Sequence, residues 1–191
     1  MKHTSSLTTK KIVLTGLMAA LTVIGSALRI KIPLEIAGTA SFHLGNIMCA
    51  LSGILLGPWL GGLASGLGSA LYDIILDPSY IYECWITFLT KGLYGLVTGL
   101  VLLAWKKDWG YWKALVATLA GAVSYAVVYM AKTYFYSGLL VYDLTPDAAL
   151  LNVVAKLPST VFNAAVAVIF APVLAIAIRK ALKRSHLALD S

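Results

Sequence analysis

Apolar residues along this chain gather into six runs, and the polar residues inside those runs recur at helical spacing. The runs cover residues 12–28, 43–56, 59–76, 85–105, 113–137 and 148–178. Each reads as a membrane-spanning helix. The second run is short, and only Gly57-Pro58 parts it from the third. Together they span residues 42–76 around one sharp turn, which predicts two crossings rather than one re-entrant hairpin. The sixth is long enough to tilt or to extend into the cytoplasm, with Pro158 and Pro172 as kink points. The expected fold is an all-α integral membrane protein: six transmembrane helices in one bundle, a single domain over residues 1–191.

Four charges interrupt the apolar runs: Asp73, Lys91, Lys132 and Lys156. A charge within a bilayer is costly, so such residues face a protein interior or a water-filled cavity and mark a functional site. Each lies on a polar stripe. Thr87, Lys91, Tyr94 and Thr98 follow one another at i, i+4, i+7 and i+11, as do Tyr125, Tyr129, Lys132 and Tyr136, and again Asn152, Lys156, Ser159 and Asn163. The third run adds Ser65, Ser69 and Asp73. That period puts each set on one helix face, and a bundle would turn those faces inward, away from lipid.

The three lysines stand about 8–12 Å below one membrane surface at the helical rise per residue, with Asp73 at the same level. Tyr72, Tyr80, Tyr82, Trp85, Tyr134 and Tyr142 crowd that level too, while the opposite halves are mostly Ala, Val, Leu and Gly. A cavity open on one side and closed on the other is expected. For Tyr80, Tyr82 and Tyr142 an interfacial aromatic belt is the better reading. Snorkelling of a single lysine to the surface would explain one such position, but hardly three on three stripes. Asn163 is too deep for ligand and is expected to bond across helices.

Charge then sets orientation. Lys2, Lys10 and Lys11 precede the first run, Lys106, Lys107 and Lys113 flank the fourth-to-fifth connection, and Arg179, Lys180, Lys183 and Arg184 follow the sixth. The other side has only Arg29 and Lys31 as cations, with Asp77, Glu83, Asp143 and Asp147. Both termini are expected in the cytoplasm and the cavity outside. The net charge of +7 is explained by this bias; short basic flanks make no continuous patch for nucleic acid. With 60% hydrophobic and 12% charged residues, no hydrophilic block is left for a second domain. Cys49 and Cys84 lie at different depths and form no disulfide framework.

Motifs for chemistry are missing. There is no G-x-x-x-x-G-K-[ST] loop, H-E-x-x-H or G-x-S-x-G in the sequence, so neither ATP hydrolysis nor hydrolytic catalysis is expected of this chain. His43, Cys49 and Cys84 suggest no metal cluster, and no cofactor is implied. Small residues form a second constellation: Gly16, Ala19 and Ala20 in the first run, and Gly61, Gly62, Ser65, Gly66, Gly68 and Ser69 in the third. Such surfaces let helices approach closely, within a bundle or between subunits.

The runs Phe42-His43-Leu44-Gly45-Asn46, Leu55-Leu56-Gly57-Pro58, Gly66-Leu67-Gly68-Ser69-Ala70-Leu71-Tyr72-Asp73 and Phe88-Leu89-Thr90-Lys91-Gly92-Leu93 resemble the substrate-binding S components of energy-coupling-factor (ECF) transporters. The nearest branch is the riboflavin, pyridoxine and hydroxymethylpyrimidine type. The resemblance implies a vitamin receptor in the plasma membrane that docks onto a transmembrane coupling protein and two ABC-type ATPases. It also implies an Ala-x-x-x-Ala contact on the first helix, matched here by Gly16 and Ala20, and a toppling motion that carries the vitamin inward. The candidate substrate-binding set is Asn46, Asp73, Lys91, Tyr129, Lys132, Tyr136, Asn152 and Lys156; the candidate docking set is Gly16, Ala19 and Ala20. An early histidine, His3, would matter in metal-transporting relatives, but its basic neighbours place it in the cytoplasm.

Three lysines against one aspartate suit a ligand with acidic or electron-rich groups. Pyridoxine or hydroxymethylpyrimidine fits the branch, and a corrinoid such as cobalamin fits if the mouth is wide. The 29–41 and 138–146 connections are candidate lids. Two rival readings use the same residues: a stand-alone proton- or ion-coupled carrier with the lysines and Asp73 as a relay, and a structural membrane subunit whose stripes only join helices.

Overall fold

The computed structural model describes residues 9–34, 39–105 and 109–184. Lys2, His3, Lys106, Lys107 and the side chain of Lys183 lie outside the described residues, as does the middle of the 29–41 connection. Six α-helices follow one another: α1 (Thr9–Ala27), α2 (Gly45–Leu56), α3 (Pro58–Ile75), α4 (Cys84–Leu103), α5 (Tyr111–Ala131) and α6 (Pro146–Arg184). A 3-10 helix, Pro78–Glu83, leads into α4, and a π-helical segment, Lys132–Val141, continues α5. All six expected runs are helical to within a few residues.

Thr9–Ala27, Pro78–Leu103, Tyr111–Val141 and Pro146–Leu182 are long and apolar enough to cross a membrane. The side chains they turn outward, among them Ile12, Val13, Val127, Phe162 and Ile169, are apolar and exposed. That is the surface lipid requires. Helix α2 explains its own shortness. It touches α1, α3, α4 and α6, and ten of its twelve residues are buried. An element enclosed on nearly every side has little lipid-facing surface to supply.

Close approach of backbones holds the centre together. A Cβ on Gly95 of α4 would lie 2.5 Å from Ser65 Oγ and 2.6 Å from the Gly61 carbonyl oxygen, and one on Gly61 would lie 2.6 Å from Gly53 Cα. Helices α2, α3 and α4 therefore meet along a seam where a Cβ added to these glycines would clash. Gly57, at φ 79°, makes the sharp turn between α2 and α3, and Pro58 opens the new helix.

One expectation needs correction. The 29–43 connection is not a loop, and residue 43 is not helical: Arg29–Pro33 (β1) and Thr39–His43 (β2) pair as an antiparallel ribbon, with Arg29 opposite His43 and Lys31 opposite Ser41. The all-α description thus holds for the bundle but not for this connection. The cause is local: Arg29-Ile30-Lys31-Ile32 alternates polar and β-branched residues, the period of a strand. Arg29 and Lys31 reach toward Asp77, while Ile30 and Ile32 stay exposed.

Candidate functional site

The ribbon stands over one end of the bundle, and beneath it the polar stripes converge on a cleft of about 680 Å³, open mouth included. Arg29 lines it from β1, and Thr39, Ser41 and His43 from β2. Asp73 of α3, Thr87 and Lys91 of α4, Tyr125 and Tyr129 of α5, and Lys156 of α6 form the walls. Tyr80 and Glu83 of the 3-10 helix, Lys132 and Ser137 of the π-helical segment, and Tyr142 complete the lining.

Hydrogen bonds fix the ribbon at both strands. Asp77 accepts the Lys31 ammonium, faces Arg29 at 3.6 Å, and accepts a 2.6 Å bond from Ser79. The Arg29 guanidinium also lies 4.0 Å from the Tyr72 ring centroid. Burial pushes the Asp77 carboxyl up, but the bonds from Lys31 and Ser79 and the charges of Lys31 and Arg29 outweigh it, so its pKa falls below the ordinary aspartate value. On β2, the Thr39 and Tyr80 hydroxyls are 2.6 Å apart. Asn163 grips the same strand twice: the His43 N–H donates to Oδ1 at 2.9 Å, and Nδ2 donates to the Ser41 carbonyl at 2.8 Å. Asn163 therefore bonds across elements, to a strand rather than to another helix.

Two arrangements of charge occupy the cleft. On one side Lys91 donates to Asn46 Oδ1 and sits 4.2 Å from the Tyr125 ring centroid. Tyr125 stacks in turn on Tyr94 at 5.8 Å and on Tyr129 at 5.5 Å. On the other side Lys132 donates to Glu83 Oε2 at 2.5 Å, and Ser137 donates to Glu83 Oε1 at 3.3 Å. Lys156 is buried, and among the described residues its ammonium has neither a hydrogen-bond nor an ion-pair partner. The lining holds four cations, Arg29, Lys91, Lys132 and Lys156, against two carboxylates, Asp73 and Glu83. The excess is positive, and the Tyr125 and Tyr129 rings offer flat apolar surface beside it.

Of the eight candidate binding residues, Asp73, Lys91, Tyr129, Lys132 and Lys156 line this cleft. Asn46 is buried outside the lining and accepts a hydrogen bond from the Lys91 ammonium. Asn152 is fully buried one turn from Lys156, and neither of its amide atoms has a hydrogen-bond partner. Tyr136 is not in the lining; its ring packs edge-on to Trp85 at 6.1 Å. The reason is the π-helical segment. Its i→i+5 bonding widens the turn, so the position facing the cleft one turn beyond Lys132 becomes Ser137. Tyr80 and Tyr142, expected in an interfacial belt, line the cleft instead. Arg29, Thr39, Ser41, His43 and Glu83 were not among the candidate binding residues; the ribbon and the 3-10 helix bring them in, His43 as the last residue of β2 rather than the first of a helix.

On α1, Gly16 and Ala20 are exposed, and a Cβ on Gly16 would meet nothing within 4 Å. Ala19 turns the other way, buried against Gly68 of α3. Among the described residues no three His, Cys, Asp or Glu side chains are grouped as a metal ion would need.

Comparison with known proteins bears on the family and the fold. The profile of the family described as "ECF-type riboflavin transporter, S component" matches residues 6–180. A Pyrococcus woesei protein described as "Uncharacterized protein in gap 3'region" is 34% identical over 121 residues, 62% of this chain and 74% of its own length. A UPF0397 protein of Streptococcus gordonii is 36% identical over 97 residues, 51% of this chain and 49% of its own. Among solved structures, the S component for biotin from an ECF-type ABC transporter superposes with a TM-score of 0.64. It covers 94% of this chain and 95% of that one, at 19% identity. At that identity the likeness is one of fold.

Proposed function

The chain belongs to the family of ECF-type riboflavin transporter S components, and from that premise we propose that it captures a B-type vitamin or vitamin precursor in the cleft beneath the ribbon. It is a membrane transport subunit, not an enzyme, and S components work with an energy-coupling module. In this reading all six helices span the membrane, α2 and α3 included, both termini are cytoplasmic, and the cleft faces outward. The excess of Lys and Arg at the other end of the bundle supports that orientation. A transmembrane coupling protein and two ABC-type ATPases supply the energy, docking on α1 at Gly16 and Ala20; the open space over Gly16 supports this face. Ala19, turned into the bundle, has no part in it.

The observation that carries the proposal is the convergence of three buried or half-buried lysines from α4, α6 and the π-helical segment on one cleft. Lipid would not tolerate them, and helix packing alone does not need them. Asp73, Lys91, Tyr129, Lys132 and Lys156 contact the ligand, with Asn46 holding Lys91.

The test is a titration of the purified, folded chain followed by tryptophan fluorescence. Riboflavin, biotin, pyridoxine, hydroxymethylpyrimidine and cobalamin make up the panel, with ligand absorption controlled. Saturable binding of one compound at nanomolar concentration, weakened by Lys91→Ala, supports the receptor. Uptake into liposomes by the chain alone under an imposed ion gradient would point to a stand-alone carrier instead.

A further inference from the structure

Lys156 is 7% exposed and lines the cleft, yet nothing in the described protein neutralises it. The charges near enough to act on it are Lys132 and Glu83. Lys132 has the same sign. Glu83 is already committed, accepting Lys132 on one oxygen and Ser137 on the other. One carboxylate thus stands beside two ammonium groups that both line the cavity, and Lys156 is the one left without a bond to it. Asp73, the other carboxylate in the lining, belongs to a different helix, α3. An ammonium on a largely buried side chain, open only to the cleft and without a counter-ion, is disfavoured, and the cost is relieved when an opposite charge arrives.

From this arrangement we infer that the ligand carries an anionic group, a carboxylate or a phosphate, which becomes the counter-ion of Lys156. The inference rests on the receptor reading and narrows its substrate class. Asn152 adds to the demand on the same face of α6. It lies one turn away, fully buried, with both amide atoms unpartnered. The Lys132–Glu83 pair needs no rearrangement. The ring surfaces of Tyr125 and Tyr129 remain for the uncharged part of the ligand.

Matched pairs of acid and neutral analogue test this on the full-length protein in detergent: biotin and biotinamide, nicotinate and nicotinamide, pantothenate and pantothenol, riboflavin 5′-phosphate and riboflavin, pyridoxine 5′-phosphate and pyridoxine. Within the pair that binds, the acid should bind at least about tenfold more tightly, the range of a charge-assisted bond. Lys156→Met should remove most of that advantage. Lys156→Gln serves as the second variant should the first misfold, and the wild-type comparison needs neither. Tighter binding of the neutral member of a pair would overturn the inference while leaving a vitamin receptor standing. So would an acid preference that survives both substitutions. No binding by any compound to folded protein would overturn the receptor reading and this inference with it.

Discussion

Asn163 shows how much of this site depends on single side chains. Its amide is the clamp between α6 and β2, one acceptor and one donor used on adjacent stretches of backbone. Asn163→Ala would leave the His43 N–H and the Ser41 carbonyl without their partners, a loss of about 1–3 kcal/mol. The expected result is faster hydrogen exchange at the His43 amide with the bundle helices still protected. Asp77 makes the second clamp and brings a pH dependence. Its folded-state pKa is lowered, so its stabilising contribution is complete above the unfolded value, about 4. That contribution fades only as pH falls through the lowered value. Exchange protection of β1, corrected for intrinsic rates, should therefore be the same at neutral and mildly acidic pH and collapse in strong acid. Asp77→Asn should show the collapsed pattern already at neutral pH. Lys91, Lys132 and Lys156 could be read from the sequence because a charge in an apolar run has few places to go. Glu83 and Asn163 could not be paired with Lys132 and Ser41, because the partners are far apart along the chain and composition does not fix such distances.

At the scale of the elements, hydrophobic runs located every helix, since lipid solvates nothing else. The ribbon escaped because its five-residue strands lie between two helices, where alternation was the only signal. The π-helical segment escaped too: an extra residue per turn leaves no mark on composition, yet it exchanged Tyr136 for Ser137 in the cleft. The seam between α3 and α4 makes a paired prediction. Gly95→Ala places a Cβ against Ser65 and Gly61 and should destabilise by about 1–3 kcal/mol. Gly92→Ala, whose nearest neighbour would be 3.4 Å away, should be nearly silent. Thermal unfolding in one detergent compares the two. On α1 the logic reverses. Ala20→Trp on an exposed face should leave ligand titration intact and abolish co-purification with the coupling protein; unchanged co-purification would mean another surface docks.

For the whole molecule, orientation and energy are the remaining questions. Cys84, half-buried at the start of α4, and Cys49, fully buried in α2, supply natural reporters. An impermeant maleimide added outside intact cells should label Cys84 and spare Cys49. Labelling only after permeabilisation would reverse the proposed topology. Vitamin uptake into liposomes should require the coupling protein, the ATPases and ATP together. The glycine seam bears on how such uptake could proceed. Because α2, α3 and α4 pack so closely along the glycines, little room is left there for a passage to open, and Tyr94 and Leu51 are fully buried in the core. Among the described residues the cleft opens beneath the ribbon. Such packing predicts that cargo leaves by the mouth it entered, so delivery to the far side would turn on the orientation of that mouth rather than on a passage through the floor.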